Sequence, residues 1–357
     1  MHELDTPALC IDLAAMDRNI ERMAEYCAHH GKQWRPHCKC HKTPAIAHRQ
    51  LRAGAIGVTC AKVGEAETMI HNGIADVLIA NMIVGESKWR RVASLARHGR
   101  PIVACDHFIQ AEGLARACQA AGSRCRVIVE VDVGLNRVGV QPGRDTVELA
   151  RAIDALPNLE FAGIMGYEGQ WLQEPDLDRK TAGIADCMRT LGRCREMLLD
   201  AGLSCPIVSA GGTGSYQITA TCPEVTELQC GGGIFADPLY QEKCHLRGLE
   251  FSLSVLTTVV SRPTRTRAVL DAGRKTHFPD FVPPRLKYFP EATVLQTSAE
   301  HCVIELAGAA RELRIGDKIE LIPGYADFTT VLHDLFFGIR KGRVETVWPI
   351  AARGALQ

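Results

Sequence analysis

Two lysines, two histidines and two cysteines fall within one octapeptide, Arg35-Pro36-His37-Cys38-Lys39-Cys40-His41-Lys42. A lysine amine flanked by a cation such as Arg35 can lose its proton and attack a carbonyl, forming a Schiff base. Cys38, Cys40 and His41 also resemble metal ligands. A structural zinc site, however, takes four ligands, usually from two knuckles, and no CxxC pair occurs elsewhere in the chain. Solvated charges beside a loop are the plain alternative for Lys39 and Lys42. Two glycine clusters lie far downstream, Gly211-Gly212-Thr213-Gly214-Ser215 and Gly231-Gly232-Gly233. Glycine lets backbone N–H groups approach a phosphate with no Cβ in the way.

The elements that must position these residues alternate. Short apolar runs at 33–39, 56–60, 76–81, 102–106, 126–133, 159–167, 206–210 and 226–230 read as strands. Helical stripes lie between them, as at 44–53, 65–71, 86–98 and 178–201. Asp12 is placed to cap a first helix and Gly31 to end it. Eight buried strands with short connections predict an α/β fold, an N-terminal (β/α)8 TIM-type barrel. An open doubly wound sheet is the alternative. Past about residue 250 the helical stripes give way to short strands, a C-terminal β-rich domain. The expected division is 1–248 for the barrel and 249–357 for the β domain, with the extreme N-terminus a candidate to join the latter. The Pro-rich stretch 278–290 reads as an irregular loop.

Composition narrows the partners. Forty-one basic residues balance forty-one acidic ones, so no basic surplus points to nucleic acid. The sequence has no apolar run long enough to span a membrane and no export signal at its start, so a cytoplasmic protein is expected. Fifteen cysteines, an odd count, then read as reduced thiols.

On a barrel, reactive groups belong on the loops after the strands, and phosphate belongs on the loops after strands 7 and 8. Both glycine clusters fall there. A ligand that offers a phosphate to those loops and an aldehyde to Lys39 is pyridoxal 5'-phosphate. The octapeptide resembles the RPHxKxHK signature of the D-threonine aldolase and D-serine dehydratase family, one of the alanine-racemase-like, fold-type III pyridoxal-phosphate enzymes. The resemblance extends along nearly the whole chain. It includes Asp5-Thr6-Pro7, 57–67, Asp132 to Gly139, Gly163 to Gly169, Gly211 to Gly214, Glu227-Leu228-Gln229 and Asp271-Ala272-Gly273. It implies that Lys39 carries the cofactor and that Arg137 faces the cofactor's phenolic oxygen. It also implies that Tyr167 lies beside the ring and that Gly212, Thr213, Gly231 and Gly232 hold the phosphate. A homodimer acting on a small amino acid is implied as well. His37 would orient a substrate group or simply pack.

The chain departs from the family at Pro323-Gly324-Tyr325-Ala326-Asp327. Metal-dependent members resemble P-x-H-x-D or P-x-H-x-C here, the His and the last residue holding a divalent ion. Tyr325 replaces that His, a poor ligand for manganese, magnesium or zinc, while Asp327 remains a candidate to anchor an ion with water. Tyr325 either fills the space of the metal or acts as a general acid/base oriented by Asp327. Gly233 stands where relatives often have an aromatic residue. The resemblance implies a carbon–carbon lyase cleaving a β-hydroxy-D-amino acid to glycine and an aldehyde. A dehydratase acting on D-serine or hydroxyaspartate, or a metal-independent racemase using Lys39 and Tyr325, are the alternatives. A non-catalytic cofactor carrier is a further one, which the residues past 250 argue against.

Overall fold

The computed structural model describes residues 3–357. They form two compact units, one of residues 23–231 with 354–357, the other of 3–22 with 232–353.

The first strand, β1 (Ala8–Asp12), belongs to the second unit; the first unit carries eight parallel strands. These are β2 (Gln33–Trp34), β3 (Val58–Cys60), β4 (Asp76–Ile79), β5 (Arg100–Cys105), β6 (Cys125–Glu130), β7 (Leu159–Met165), β8 (Ile207–Ala210) and β9 (Glu227–Leu228). β3 to β9 pair in chain order, and β9 then pairs with β2. The two edge strands meet: Ile56 N–H donates to Trp34 O and Thr59 N–H to Pro36 O, each at 2.9 Å, and His37 bridges Thr59 in parallel. A doubly wound sheet would leave its edges apart, so this is a closed barrel. Leu78, Ile102, Ala104, Ile128, Ala162 and Met165 pack together as core, which is why the runs are apolar.

Local signals set the helix ends. Asp12 Oδ1 accepts from the N–H groups of Ala14 and Ala15, both at 3.0 Å, and so caps the helix Leu13–His29. Gly31 follows that helix at φ +66°, a conformation that favours glycine. Two expectations need correction. Regular strand in the first run ends at Trp34 rather than at 39, because Pro36 has no N–H to donate and residues 38–40 turn into a 3-10 helix. Arg35 is not a free cation beside Lys39. It is buried, its Nε 3.1 Å from Glu227 Oε1 and its other nitrogen on Asp76, near the N-terminal ends of the strands.

In the second unit β1 lies between β10 (Leu253–Thr264), antiparallel, and a parallel late strand. The remaining strands are β11 (Arg267–Leu270), β12 (Arg285–Leu286), β13 (Thr293–Thr297), β14 (Cys302–Glu305), β15 (Lys318–Ile322), β16 (Leu335–Arg340) and β17 (Arg343–Pro349). Here β16 is the parallel neighbour of β1, and β12 gives the Pro-rich stretch a short ordered core by pairing with β15. Among the described residues no helix is long and apolar enough to cross a membrane.

Candidate active site

Lys39 sits on the turn just past β2. The turn is closed by the backbone: Lys42 N–H donates to Cys38 O at 2.7 Å, and Lys39 N–H donates to His37 Nδ1 at 3.3 Å. That acceptor role leaves His37 Nε2 to carry the ring proton. Burial, with Lys39 and Lys42 adding like charge, holds the imidazole well below its usual value, so it stays neutral.

Lys42 is no solvated charge. It is buried at φ +51° and ion-paired with Glu65, their side chains 7% and 1% exposed. The other oxygen of Glu65 accepts from Ala61 N–H at 2.6 Å and from Lys62 N–H at 3.2 Å, the entry to the helix Val63–His71. One carboxylate therefore ties the lysine turn to the next helix. Cys38 and Cys40 are both buried, and burial together with Cys60 pushes the Cys38 thiol well up. They pack beneath the turn.

A chain of contacts leads from Lys39 to the other barrel candidates. His37 N–H donates to Gln229 O, and Gln229 N–H reaches Gly211 O at 3.1 Å. A Cβ on Gly231 would lie 2.1 Å from His37 O, so only glycine lets this loop touch the lysine turn. A Cβ on Gly212 would lie 2.8 Å from Tyr167 Cε2. The guanidinium of Arg137 stands over the Tyr167 ring, 5.4 Å from its centroid, with Glu130 Oε1 at 3.5 Å. Burial raises Glu130, and Arg137 pulls it back. Lys39, His37, Gly231, Gly212, Tyr167 and Arg137 thus form one contiguous set, and buried Thr213 lies on the same loop.

Sequence reasoning assigned no role to the groups that shape this loop. Glu168, fully buried, accepts from Ser215 Oγ and Thr219 Oγ1, both at 2.6 Å, and from Gly211 N–H at 3.4 Å. Lys180, also buried, donates to Gly214 O at 2.7 Å. An acid following Tyr167 at a strand end was the available signal for Glu168. Lys180, on a helix of ordinary polarity, gave none.

Tyr325 and Asp327 lie in the second unit, as does Gly232, which opens a short 3-10 turn. The Tyr325 hydroxyl donates to Asp327 Oδ2 at 3.0 Å, and both residues are buried. Asp237, unrecognised in the sequence, fixes the segment: its carboxylate accepts from Ala326 N–H at 2.8 Å and Tyr240 N–H at 3.1 Å. Among the described residues no three His, Cys, Asp or Glu side chains converge as metal ligands. Asp327 with a phenol is a donor set that does not fit a catalytic divalent ion.

Comparison with known proteins gives the chain a family. A family model described as alanine racemase, N-terminal domain, matches residues 11–238. The chain belongs to this family. A serine dehydratase domain matches residues 252–339. A 3-hydroxy-D-aspartate aldolase of Paracoccus denitrificans (strain Pd 1222) is 36% identical over 99% of this chain and 93% of its own. A D-threonine aldolase of Arthrobacter sp is 35% identical over 98% and 93%. The crystal structure of D-threonine aldolase from Filomicrobium marinum superposes with a TM-score of 0.96 at 36% identity, covering 100% of this chain and 98% of that one.

Proposed function

We propose that this family member is a pyridoxal-phosphate-dependent lyase that cleaves a β-hydroxy-D-amino acid to glycine and an aldehyde. The observation that carries the reading is the contiguous set joining Lys39 to the glycine loops and to Arg137. The donor set suits the cofactor: a lysine for its aldehyde and a cation near its ring. Gly212 and Gly231 leave a backbone cradle where any Cβ would collide. Lys39 would hold the aldehyde carbon. Gly212, Thr213, Gly231 and Gly232 would hold the phosphate, and Arg137 and Tyr167 would flank the ring. When bound, the cofactor supplies an electron sink for the pair released from the Cα–Cβ bond.

Tyr325 is the base in this reading. Its oxygen takes the β-hydroxyl proton while its own proton passes to Asp327 Oδ2, a transfer set up by the 3.0 Å hydrogen bond. His37, neutral, orients a substrate group. The relatives named for aldolase activity support the reaction class. A homodimer is part of the proposal, readable by sedimentation velocity. So is a cytoplasmic location, which suits fifteen buried cysteines, none of them in a disulfide.

The deciding experiment feeds D-threonine to the purified holoenzyme in the presence of chelator and separates the products. Glycine with acetaldehyde supports the lyase; a keto acid with ammonia means a dehydratase; altered stereochemistry alone means a racemase. Tyr325→Phe should lower kcat by about 10²–10⁴-fold, the range of one general base, with cofactor content unchanged. Full retained turnover would remove Tyr325 from the chemistry. Glu168→Gln should weaken cofactor affinity about tenfold, the effect of one lost charge-assisted hydrogen bond of roughly 1.5 kcal/mol, read by titrating the apoenzyme.

A further inference from the structure

Two arginine-rich stretches lie far apart in a chain whose charges balance: Arg262-Pro263-Thr264-Arg265 and Arg311-Glu312-Leu313-Arg314. The fold of the second unit brings them together. Arg262 and Thr264 end β10, Arg265 begins the turn to β11, and Arg311 lies on the 3-10 helix Gly308–Glu312. Arg262 clasps the two. Its Nη2 donates to Arg265 O at 3.0 Å and to Arg311 O at 3.4 Å, and its Nη1 donates to Arg311 O at 3.3 Å and to Leu313 O. Backbone carbonyls hold this guanidinium and leave its charge uncancelled. Its Nε is buried with no hydrogen-bond partner among the described residues.

Between the stretches lies an open cleft of about 760 Å³, walled by Arg262, Arg265, Arg311 and Arg314. Concavities of roughly 300–1,000 Å³ are the size that small ligands occupy. Among the described residues none of the four guanidiniums pairs with a carboxylate. Arginines elsewhere do: Arg18 with Glu250, Arg91 with Glu67 and Arg144 with Glu148. Two acids are at hand. Asp317 Oδ2 accepts from the backbone N–H of Arg314 at 2.7 Å, and Glu312 lines the cleft without an ion pair. Four guanidiniums against the one carboxylate in the lining leave three positive charges. A cleft lined by one sign of charge concentrates the opposite ion.

From this cleft we infer a binding site for a small polyphosphate anion, of the class of pyrophosphate or the phosphate chain of a nucleotide. The planar fork of a guanidinium matches phosphate oxygens two at a time. Two linked phosphates carry about three negative charges near pH 7, as many as the cleft leaves unmatched. Ile315, 66% exposed on the rim, adds an apolar edge for the sugar or base of a nucleotide. The zero net charge of the whole chain supplies no wider field for a nucleic acid, so a small anion is favoured over a polymer. The site lies wholly in the second unit and owes nothing to the lyase reading.

The test is calorimetric titration of the holoenzyme with pyrophosphate, ADP and adenosine, with the visible absorbance of the cofactor followed in parallel. Pyrophosphate and ADP should bind at one site per chain, and adenosine should not. Tighter binding of ADP than of pyrophosphate identifies a nucleotide; equal or weaker binding identifies the phosphates alone. Arg265→Ala and Arg314→Ala, both at exposed positions, should each weaken pyrophosphate binding about five- to tenfold, the loss of one charge-assisted contact. Glu312→Gln should tighten it about threefold by removing the like charge, a gain that damaged folding does not produce. Added sodium chloride should weaken binding throughout. Absence of pyrophosphate and ADP binding overturns the inference, as do affinities that none of the three variants moves. Loss of the cofactor band during titration would place the anion on the glycine loops and overturn it as well.

Discussion

Lys39→Ala abolishes the visible absorbance of the lysine-bound cofactor and lowers turnover by at least about 10³-fold, as loss of a covalent catalyst does. The size follows from the turn. The other lysine of the turn is not available to replace it, because Lys42 is buried and ion-paired with Glu65. The protein should still fold, since the Lys39 side chain keeps solvent contact and the backbone bonds closing the turn do not depend on it. An absorption spectrum and a thermal melt of the same sample check both halves. A retained visible band, with the cofactor still covalently trapped by borohydride, would place the Schiff base on another residue.

Lys42→Met is the second large effect, on stability. Removing one partner leaves Glu65 charged, buried and facing apolar atoms. Breaking such a pair costs about 3–5 kcal/mol. Glu65 would keep its two backbone donors, Ala61 and Lys62, which softens the loss toward the lower end. The double variant Lys42→Met with Glu65→Leu should recover part of the difference, because an apolar pair carries no uncompensated charge. Urea titration of the three proteins gives the free energies. A single variant as stable as the parent would show that water reaches the pair.

The barrel was legible because its signals are local and repeated. Apolar runs, N-caps such as Asp12 and glycine stops such as Gly31 recur with the unit. The lysine turn and the glycine loops were legible because their chemistry needs rare residue combinations. What escaped has a common physical cause: it depends on pairing across distance. Glu168 reads as one more acid until Ser215 and Thr219 close on it, and Asp237 until the tyrosine segment does. The hairpin of β16 and β17 was missed for a different reason. Its turn, Lys341-Gly342, has both φ values positive, 50° and 74°, but carries lysine where asparagine or aspartate usually signals such a turn. β17 is also largely exposed, so its apolar residues give no clear stripe. Arg35 misled because sequence shows a cation and hides its counter-ions, Glu227 and Asp76.

The closure of the barrel also sets an order of assembly. Seven neighbouring strand pairs join segments that leave the ribosome within a short time of each other, and they can form as the chain emerges. The pairing of β2 with β9 cannot: the Trp34 indole bonds Cys230 O across 196 residues of sequence. Until that late segment is made, Arg35 lacks Glu227, and the turn bearing Lys39 lacks the loop of Gly231 against which it is pressed. Contacts of such separation form last. A nascent chain therefore presents the Lys39 turn before the loop that packs on it, and the site proposed there is complete only after synthesis has passed the final barrel strand.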